Sequence, residues 1–393
     1  MKPLPSLARA KWLREPGLQR IFSIIAAGGG EARVAGGAVR NALLKVPVAD
    51  VDVATTLPPT RVKDVCEAAA MKVVPTGIKH GTVTVVVNHN PYEVTTLRHD
   101  AETDGRRARV AFHDDWERDS ARRDFTMNAL YCDGRGQIYD FVGGYGDLLK
   151  GKVVFVGAPQ KRIAEDYLRI LRFFRFHARF GRNAPDKAGL AACKRLRKGL
   201  DGLSAERIRQ EMVKLIVAPG AVATLQIMAS AGILAHVIPY REQWRVISRL
   251  PPDPILRLYA LAKEPQTLKD RLRLSNHDAA RIDHIAGFRP SPDLRAREQR
   301  RVLYELGAQA WRDRVLMAWA HAKAPLDDAA WKRLLRLPKR WPIPNFPVTG
   351  KDLLAAGQPH GPGIGETLRR LEDWWMAADF KTTKQDLMKR IAP

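Results

Sequence analysis

Two hydrophobic periodicities divide the chain into an N-terminal and a C-terminal part. Between Glu31 and Val154, valine-rich runs alternate apolar with polar side chains, a pattern typical of half-buried strands, and short stretches with a helical period lie between them. The predicted strands include Val34, 48–53, 82–87 and 92–97, and the predicted helices are 38–44, 61–71 and 120–130, the last with Ser120 as its N-cap. This part is therefore predicted to be an α/β head.

Beyond residue 157 the β-branched runs end and helical periodicity continues. Segment 160–180 carries one apolar stripe at helical spacing, formed by Ala164, Tyr167, Leu171, Phe174 and Ala178. Proline clusters then separate shorter helical groups, at 251–254, 290–292 and 338–347. We predict an α+β chain with a head over 1–156, a helical neck over 157–245 and a helical body and tail over 246–393.

The net charge of the chain indicates what kind of partner it binds. The 66 Lys and Arg against 42 Asp and Glu leave a formal net charge of +24, which favours a polyanionic partner, with a generally basic surface as the alternative. No long uncharged apolar run is present, so no membrane partner is expected. The three cysteines are widely spaced and predict neither a disulfide framework nor a zinc site. Together with a beginning that does not read as a secretory signal, this predicts a cytoplasmic protein.

A glycine pair followed by two aspartates carries the clearest chemistry. Gly36 and Gly37 precede a predicted helix that carries Arg40, so backbone N–H groups and a guanidinium can approach a phosphate. Asp50 and Asp52 are two apart on a predicted strand, which turns both carboxylates to one face. Such a pair suits Mg²⁺ carrying a nucleoside triphosphate. Each motif alone also occurs as a plain turn or a surface pair, but their order and spacing favour one nucleotide site.

Glu93 is the candidate for a third carboxylate. It lies on predicted strand 92–97, which follows the run 81–85 and is expected to form an antiparallel pair beside the aspartates. Two-metal phosphoryl transfer uses such a third carboxylate, because the metal ions must be held where they can position both the attacking and the leaving oxygen. The alternative is a solvent-facing strand glutamate.

Arg122 and Arg123 lie near the predicted start of helix 120–130, where positive charge opposes the helix dipole. An anionic ligand would offset this mismatch. The alternative is pairing with Asp119 or Asp124, which is easier to satisfy for one arginine than for both.

In this order the motifs resemble those of the class II tRNA nucleotidyltransferases, the CCA-adding enzymes, and of their relatives the bacterial poly(A) polymerases, within the DNA polymerase beta superfamily. The resemblance runs from about Arg33 to Leu215. It implies a polymerase-beta-type head with a mixed sheet and helices, followed by an all-helical neck, body and tail. The neck would select the base and the tail would hold RNA.

The resemblance also implies roles for individual residues. Asp50 and Asp52 would bind Mg²⁺ and Glu93 would complete the carboxylate set. The triphosphate contacts would come from Gly36, Gly37, Arg40 and Arg123. Asn41 departs from the pattern, because the family usually has Asp at this position, which puts the supporting contact of that side chain in question.

The family's base-selecting motif is similar to residues 165–172. Asp166 and Arg169 are expected to share a helix face and to act together on one base. A carboxylate accepts from the amino group of cytosine or adenine, whereas uracil and guanine present a carbonyl oxygen that repels it. Arg172 and Arg175 would add further nucleotide contacts. The alternative is an ordinary surface ion pair.

Two segments bear on the activity within the family. Segment 103–107 resembles the flexible loop that accompanies the switch from C to A addition, and 75–82 lacks the Gly-Arg-Arg-Phe-like strand of poly(A) polymerases. The resemblance therefore implies template-independent addition of CCA to the 3′ end of tRNA from CTP and ATP. Poly(A) addition, or addition of only CC or only A, is the alternative. Basic runs at 194–198 and 295–301 are expected to hold the RNA.

Two hypotheses come from other classes. His277 and Asp278 suggest a metal-dependent phosphohydrolase, but with His284 they make a poor metal set, and a helix start capped by Asn276 or Asp278 is expected instead. A non-catalytic RNA-binding protein would explain the charge but not three carboxylates gathered in a cationic chain. Tryptophans of the C-terminal half are expected to anchor cores rather than to stack on bases, namely Trp311, Trp319, Trp331, Trp341, Trp374 and Trp375.

Overall fold

The computed structural model describes residues 4–78, 81–104 and 107–391. Contacts divide the chain into two compact units, Met1–Val237 and Ile238–Pro393. One boundary between two units does not test the three-part division into head, neck and body, which stays a prediction. Gly105 and Arg106, the centre of the segment that resembles the flexible loop, and Lys79 and His80 lie outside the described residues.

A mixed sheet forms the centre of the head. Its strands and those of a separate hairpin are β1 (Ala32–Ala35), β2 (Asp52–Thr55), β3 (Lys72–Gly77), β4 (Thr82–Val87), β5 (Asn90–Thr96), β6 (Arg98–Asp104), β7 (Arg107–Phe112), β8 (Leu130–Cys132) and β9 (Ile138–Asp140). Seven of them are ordered β3-β4-β5-β2-β1-β8-β9, while β6 and β7 pair with each other. Strands β2 and β5 are parallel and the other neighbours antiparallel. The predicted mixed sheet is confirmed.

Helices lie between the strands of this sheet along the chain, and helices follow its last strand. In the first unit they are α1 (Pro16–Ala27), α2 (Gly37–Leu43), α3 (Pro59–Ala68), α4 (Trp116–Ala121), α5 (Gly144–Leu149), α6 (Pro159–Glu165), α7 (Leu168–Phe180), α8 (Lys187–Leu196), α9 (Ala205–Ile216), α10 (Ala221–Ser230) and α11 (Leu234–Val237). Helix α7 buries Phe173 and Phe174 completely, and the Phe173 ring stacks on that of Phe155 with centroids 5.4 Å apart. This aromatic packing fixes α7 beside the head.

Among the described residues of the second unit, the regular elements are helices joined by loops, without a strand. Its helices are α12 (Trp244–Arg249), α13 (Pro254–Leu261), α14 (Leu268–Arg271), α15 (Asn276–Ile285), α16 (Ala296–His321), α17 (Ala329–Leu335), α18 (Leu337–Arg340), α19 (Gly350–Ala355), α20 (Pro362–Ala377) and α21 (Lys384–Met388). Trp311, Trp319 and Trp331 are buried in one core and Trp375 in another, as expected of anchors. Across the described chain, no helix combines the length and apolarity that a membrane crossing needs.

The predicted helix over 120–130 is wrong. Helix α4 begins earlier, because the Asp115 carboxylate caps it by accepting from the backbone N–H groups of Glu117 and Arg118, and it ends at Ala121. Residues 126–128 form one turn of 3₁₀ helix, and 130–132 form β8 between β1 and β9. Pairing in the sheet thus overrides the local helical pattern.

Two other predicted elements are shorter or interrupted. Strand β2 begins only at Asp52, so most of 48–53 is irregular. The helix predicted over 160–180 is broken at Asp166, whose backbone is extended with φ −157° and ψ 106°. The Asp166 carboxylate accepts from the N–H of Leu168 at 3.1 Å, which helps to start a second helix.

The His277 segment is a helix start, as expected. The cap differs from the prediction, because Oγ of Ser275 accepts from the N–H of Asp278 at 3.1 Å. Within the described ranges, no three His, Cys, Asp or Glu side chains are grouped as a metal site. A capped helix start therefore accounts for this segment.

Candidate active site

A glycine with positive φ joins β1 to α2. Gly36 has φ 68° and ψ −109°, which residues with a side chain rarely adopt. A Cβ atom there would lie 3.2 Å from the carbonyl oxygen of Asn128 and 3.3 Å from Nη1 of Arg123. Only glycine therefore allows this close approach. Gly36 and Gly37 both line a cavity of about 520 Å³, at the N-terminal end of α2 where backbone N–H groups lack helical acceptors.

Asp52 and Glu93 lie side by side, because β2 and β5 are parallel neighbours whose register pairs these two residues. Asp50 precedes β2, so strand alternation does not place it, but it lines the same cavity of about 820 Å³ as Asp52 and Glu93. Partial burial raises the pKa of Asp52, and Glu93 and Asp50 raise it further against the influence of Arg123. A cation among the three carboxylates would lower that pKa again.

Asp52 lines two cavities of opposite charge, which we call the cationic cavity and the acidic cavity. The cationic cavity, of about 520 Å³, is lined by three aspartates, Asp52, Asp124 and Asp166, and by the arginines Arg40, Arg122, Arg123, Arg169, Arg172 and Arg207. The acidic cavity, of about 820 Å³, is lined by the carboxylates Glu15, Asp50, Asp52 and Glu93. A triphosphate suits the first and a neutral hydroxyl group suits the second.

Arg122 and Arg123 both pair with the buried Asp119. Nη2 of Arg122 lies 2.7 Å from Oδ1 of Asp119, and Nη2 of Arg123 lies 3.2 Å from Oδ2. Burial would raise the pKa of Asp119, but the two arginines and the hydroxyl of Tyr131 lower it overall. The prediction that both arginines lie at a helix start is wrong, since they follow the end of α4. Asp119 can balance only one of the two charges, so one remains for an anion in the cationic cavity.

Arg40 is a buried cation whose guanidinium donates hydrogen bonds to neutral amide oxygens. Its Nε and Nη2 donate to Oδ1 of Asn41 at 3.2 and 2.9 Å, and its Nη1 donates to Oδ1 of Asn128. The guanidinium also lies 4.4 Å from the ring centre of Phe180. Burial, and next the charge of Arg175, lower the pKa of Arg40 to about 10. An anionic ligand beside Arg40 would stabilise its charged form.

Replacing Asn41 with Asp should give Arg40 a charged partner. We expect Asn41→Asp to raise the free energy of unfolding by about 1 kcal/mol, because the acceptor of the same two contacts becomes a carboxylate and forms an ion pair with the guanidinium. Urea unfolding at neutral pH measures the change, with Asn41→Ala as the control that removes both contacts and should destabilise. A lower stability for Asn41→Asp than for the unmodified protein would contradict this.

Asp166 and Arg169 line the cationic cavity but do not pair with each other in the contacts described. Nη2 of Arg207 donates to Oδ2 of Asp166 at 2.7 Å. Arg169 donates through Nη1 to the carbonyl oxygen of Arg162 at 2.5 Å and to the carboxylate of Glu165. The prediction of one continuous helix face is wrong because of the break at Asp166. The two side chains are nevertheless brought to the same cavity.

Comparisons with known proteins agree with this site. Residues 32–154 match the family described as "Poly A polymerase head domain", and residues 184–244 match "Probable RNA and SrmB- binding site of polymerase A". The chain is 33% identical over 378 residues to "CCA tRNA nucleotidyltransferase 1, mitochondrial" of Danio rerio, covering 92% of this chain and 87% of that one. The chain belongs to the CCA-adding tRNA nucleotidyltransferase family. It is therefore a nucleotidyltransferase.

Bacterial relatives extend the likeness over nearly the whole chain. The CCA-adding enzyme of Enterococcus faecalis is 30% identical over 386 residues, covering 93% of this chain and 92% of that one. A crystal structure of the Bacillus stearothermophilus CCA-adding enzyme in complex with CTP superposes with a TM-score of 0.81 at 29% identity, covering 95% and 97% of the two chains.

The nucleotidyltransferase contains site residues that sequence reasoning did not assign. Asp124 accepts from Nε of Arg172 at 2.8 Å and from Nδ2 of Asn128 at 3.0 Å. It thereby connects α7 to Asn128, which also accepts a hydrogen bond from Arg40. Asp124 and Asn128 follow closely after Arg123 in the sequence, and this proximity was the available signal. Arg207 also lines the cavity, and no sequence pattern pointed to it.

Arg172 and Arg175 differ in their position relative to the cationic cavity. Arg172 lines the cationic cavity, as predicted for a nucleotide contact. Nε of Arg175 lies 2.7 Å from Oε2 of Glu211, and Arg175 is not among the residues that line that cavity. Its predicted contact with nucleotide stays a prediction, whereas its charge already acts on Arg40.

Proposed function

We propose that this nucleotidyltransferase adds C, C and A to the 3′ end of tRNA, taking the nucleotides from CTP and ATP and releasing pyrophosphate. The relatives carry this activity in their names. The observation that supports it most in this chain is that Asp52 lines both the cationic and the acidic cavity. The reaction needs an anionic triphosphate and a neutral RNA hydroxyl beside the same group of carboxylates, with the hydroxyl and the leaving pyrophosphate on opposite sides of the α-phosphorus.

The side chains have distinct tasks in this proposal. The Gly36–Gly37 turn leaves room for the triphosphate, while Arg40 and Arg123 balance its charge. The carboxylates of the acidic cavity orient the 3′-hydroxyl of the RNA toward the α-phosphate and receive hydrogen bonds from it. Asp166 and Arg169, at the neck end of the cationic cavity, select the base. The attack is in line and needs no covalent intermediate on the protein.

A divalent cation, which we propose is Mg²⁺, fits the carboxylates Asp50, Asp52 and Glu93. All three are hard oxygen donors, and partial burial together with the repulsion by Glu93 and Asp50 raises the pKa of Asp52. In the part of the chain that is described, no three His, Cys, Asp or Glu side chains are grouped so that they could hold a metal ion. When bound, the ion would lower the pKa of the attacking hydroxyl and stabilise charge on the leaving pyrophosphate.

Primer extension tests the proposal. The purified protein is incubated with Mg²⁺ and a tRNA transcript that lacks its 3′ CCA, with each nucleoside triphosphate alone and with CTP and ATP together. We expect two added residues with CTP alone, three with CTP and ATP, and none with UTP or GTP. A long ladder with ATP alone would indicate a poly(A) polymerase, addition stopping at CC or limited to A would indicate a partial enzyme, and no extension would favour an RNA-binding protein.

The basic runs differ in how freely they can contact RNA. In the run 295–301, Arg300 pairs with Asp379 and Arg301 pairs with Glu305. In the run 194–198, by contrast, Lys194, Arg195 and Lys198 are exposed. We therefore propose that the run 194–198 contributes more to tRNA binding than the run 295–301.

Salt should weaken tRNA binding strongly if phosphate contacts dominate. We expect the Kd to rise by about 10³-fold or more between 50 and 200 mM salt if six or more phosphates are neutralised. Lys194→Ala with Lys198→Ala should reduce the slope of log Kd against log salt by about two. Arg300→Ala with Arg301→Ala is the matched control with a smaller expected change. A Kd that does not depend on salt would contradict the proposal.

A further inference from the structure

The Asp166 carboxylate is held from two different directions. Its Oδ1 accepts from the N–H of Leu168 at 3.1 Å, a contact with the start of α7. Its Oδ2 accepts from Nη2 of Arg207 at 2.7 Å, a contact with α9. Because the backbone at Asp166 is extended, the helix itself does not set the direction of this side chain. The two hydrogen bonds do so instead.

Helix α9 carries charged side chains on one face that pair with charged side chains on α7 and just before it. Arg207 and Glu211 are one turn apart and therefore lie on the same face of α9. Arg207 pairs with Asp166, and Glu211 pairs with Arg175 at 2.7 Å and lies 3.8 Å from Arg172. A row of alternating charge fixes the relative position of two packed helices. The contact between Arg207 and Asp166 is thus one of several ion pairs that fix the position of α9 relative to α7.

Arg169 is restrained by a different group of residues. Its Nη1 donates to the carbonyl oxygen of Arg162 and to Glu165, both on α6. Asp166 and Arg169 are three residues apart, close enough in sequence for an ion pair to form between them. Each instead has another partner, and both line the cationic cavity. Such a pair would neutralise the two groups that are proposed to contact the base.

We propose that Arg207 is a specificity-determining positioning residue, which keeps Asp166 directed at the base and away from Arg169. The inference rests on the proposed function, since it concerns selection of C and A. A carboxylate has about four lone-pair sites, so Asp166 can accept from Leu168, from Arg207 and from the amino group of the base together. The arrangement rejects uracil and guanine, because their carbonyl oxygens would face a carboxylate that cannot turn aside.

Removal of Arg207 should change selectivity more than stability. The side chains of Arg207 and Asp166 are 46% and 31% exposed, and partly exposed ion pairs contribute little to folding. The variant is therefore expected to fold. Without its partner, the Asp166 carboxylate can rotate to Arg169, which removes both the acceptor for the amino group and the repulsion of a carbonyl oxygen.

The test compares kcat/KM for CTP and UTP in single-nucleotide addition to the same tRNA transcript. We expect Arg207→Ala to lower the ratio of CTP to UTP about tenfold or more, the range by which one well-placed base contact discriminates. Arg207→Lys keeps a charged donor and should restore most of the ratio. Lys214→Ala removes an exposed cation from the same helix and should leave the ratio unchanged.

The outcomes separate three explanations. If Arg207→Ala slows CTP and UTP equally, Arg207 has only a structural role or contacts the triphosphate directly, and the proposal is wrong. An unchanged ratio at an unchanged rate also overturns it. If the unmodified protein adds no nucleotide to tRNA, the proposed function fails before the role of Arg207 is reached.

Discussion

Asp50→Ala combined with Asp52→Ala is expected to lower kcat for CTP addition by about 10³-fold or more, while the Kd for tRNA changes less than about twofold. Loss of one preorganised group that stabilises transition-state charge already costs about 10²–10³-fold in kcat. These two side chains line the acidic cavity together with Glu93, and Asp52 also lines the cationic cavity. Single-turnover extension assays and filter binding measure the two quantities on the same preparation.

Stability provides an independent check on this variant. Partial burial, and next the repulsion by Glu93, raise the pKa of Asp52, so its ionised form opposes folding at neutral pH, and folding becomes less favourable as pH rises through that pKa. Removing the aspartates should therefore leave the Tm unchanged or higher. Asp64→Ala, at an exposed position on α3, is the matched control and should keep full activity. Full activity in the double variant would contradict the assigned role of the carboxylates.

Asp119→Asn is expected to destabilise the protein by about 3–5 kcal/mol, because it leaves two arginines beside a buried neutral group. Arg122, Arg123 and Tyr131 all contact the Asp119 carboxylate. Activity should fall as well, since Arg123 lines the cationic cavity and would lose its orientation. Urea unfolding measures the first effect, and single-turnover CTP addition measures the second.

The pH dependence tests the same cluster. Because its neighbours lower the pKa of Asp119, its ionised form stabilises the fold above the unfolded pKa of about 3.9, and this stability is lost as pH falls through the folded pKa. The difference between the unmodified protein and Asp119→Asn should therefore shrink in acid. Tyr131→Phe removes the hydrogen bond that the hydroxyl donates to Asp119 and the one that it accepts from Nε of Arg123, and should cost about 2 kcal/mol. A loss below 1 kcal/mol for Asp119→Asn would show that the arginines find other partners.

Local sequence patterns were sufficient for the strand that carries Glu93 and for its neighbour β4. The alternating valines of 82–87 predicted β4, and the run after Asn90 predicted β5 with Glu93 on it, since alternation along a strand is a local property. The glycine pair and the helix with Arg40 were likewise predicted. The motif order indicated the family, which the comparisons establish.

The errors lie where distant residues override local preference. Segment 120–130 has a helical pattern, but residues 130–132 form a strand because β1 and β9 offer hydrogen-bonding partners on both sides. The break at Asp166 was not visible either, because the apolar stripe continues across it. Arg207 carried no signal at all, since its importance comes from a contact over 41 positions of sequence.

The sequence by itself therefore determined the composition of the site: three carboxylates, a glycine turn and a set of arginines in family order. Only the tertiary structure decided which charges balance one another. It pairs Arg122 and Arg123 with Asp119, leaves Arg40 on the amide oxygens of Asn41 and Asn128, and separates Asp166 from Arg169. The physical reason is that Coulomb interactions depend on distance in space and on burial, and neither quantity follows from spacing along the chain.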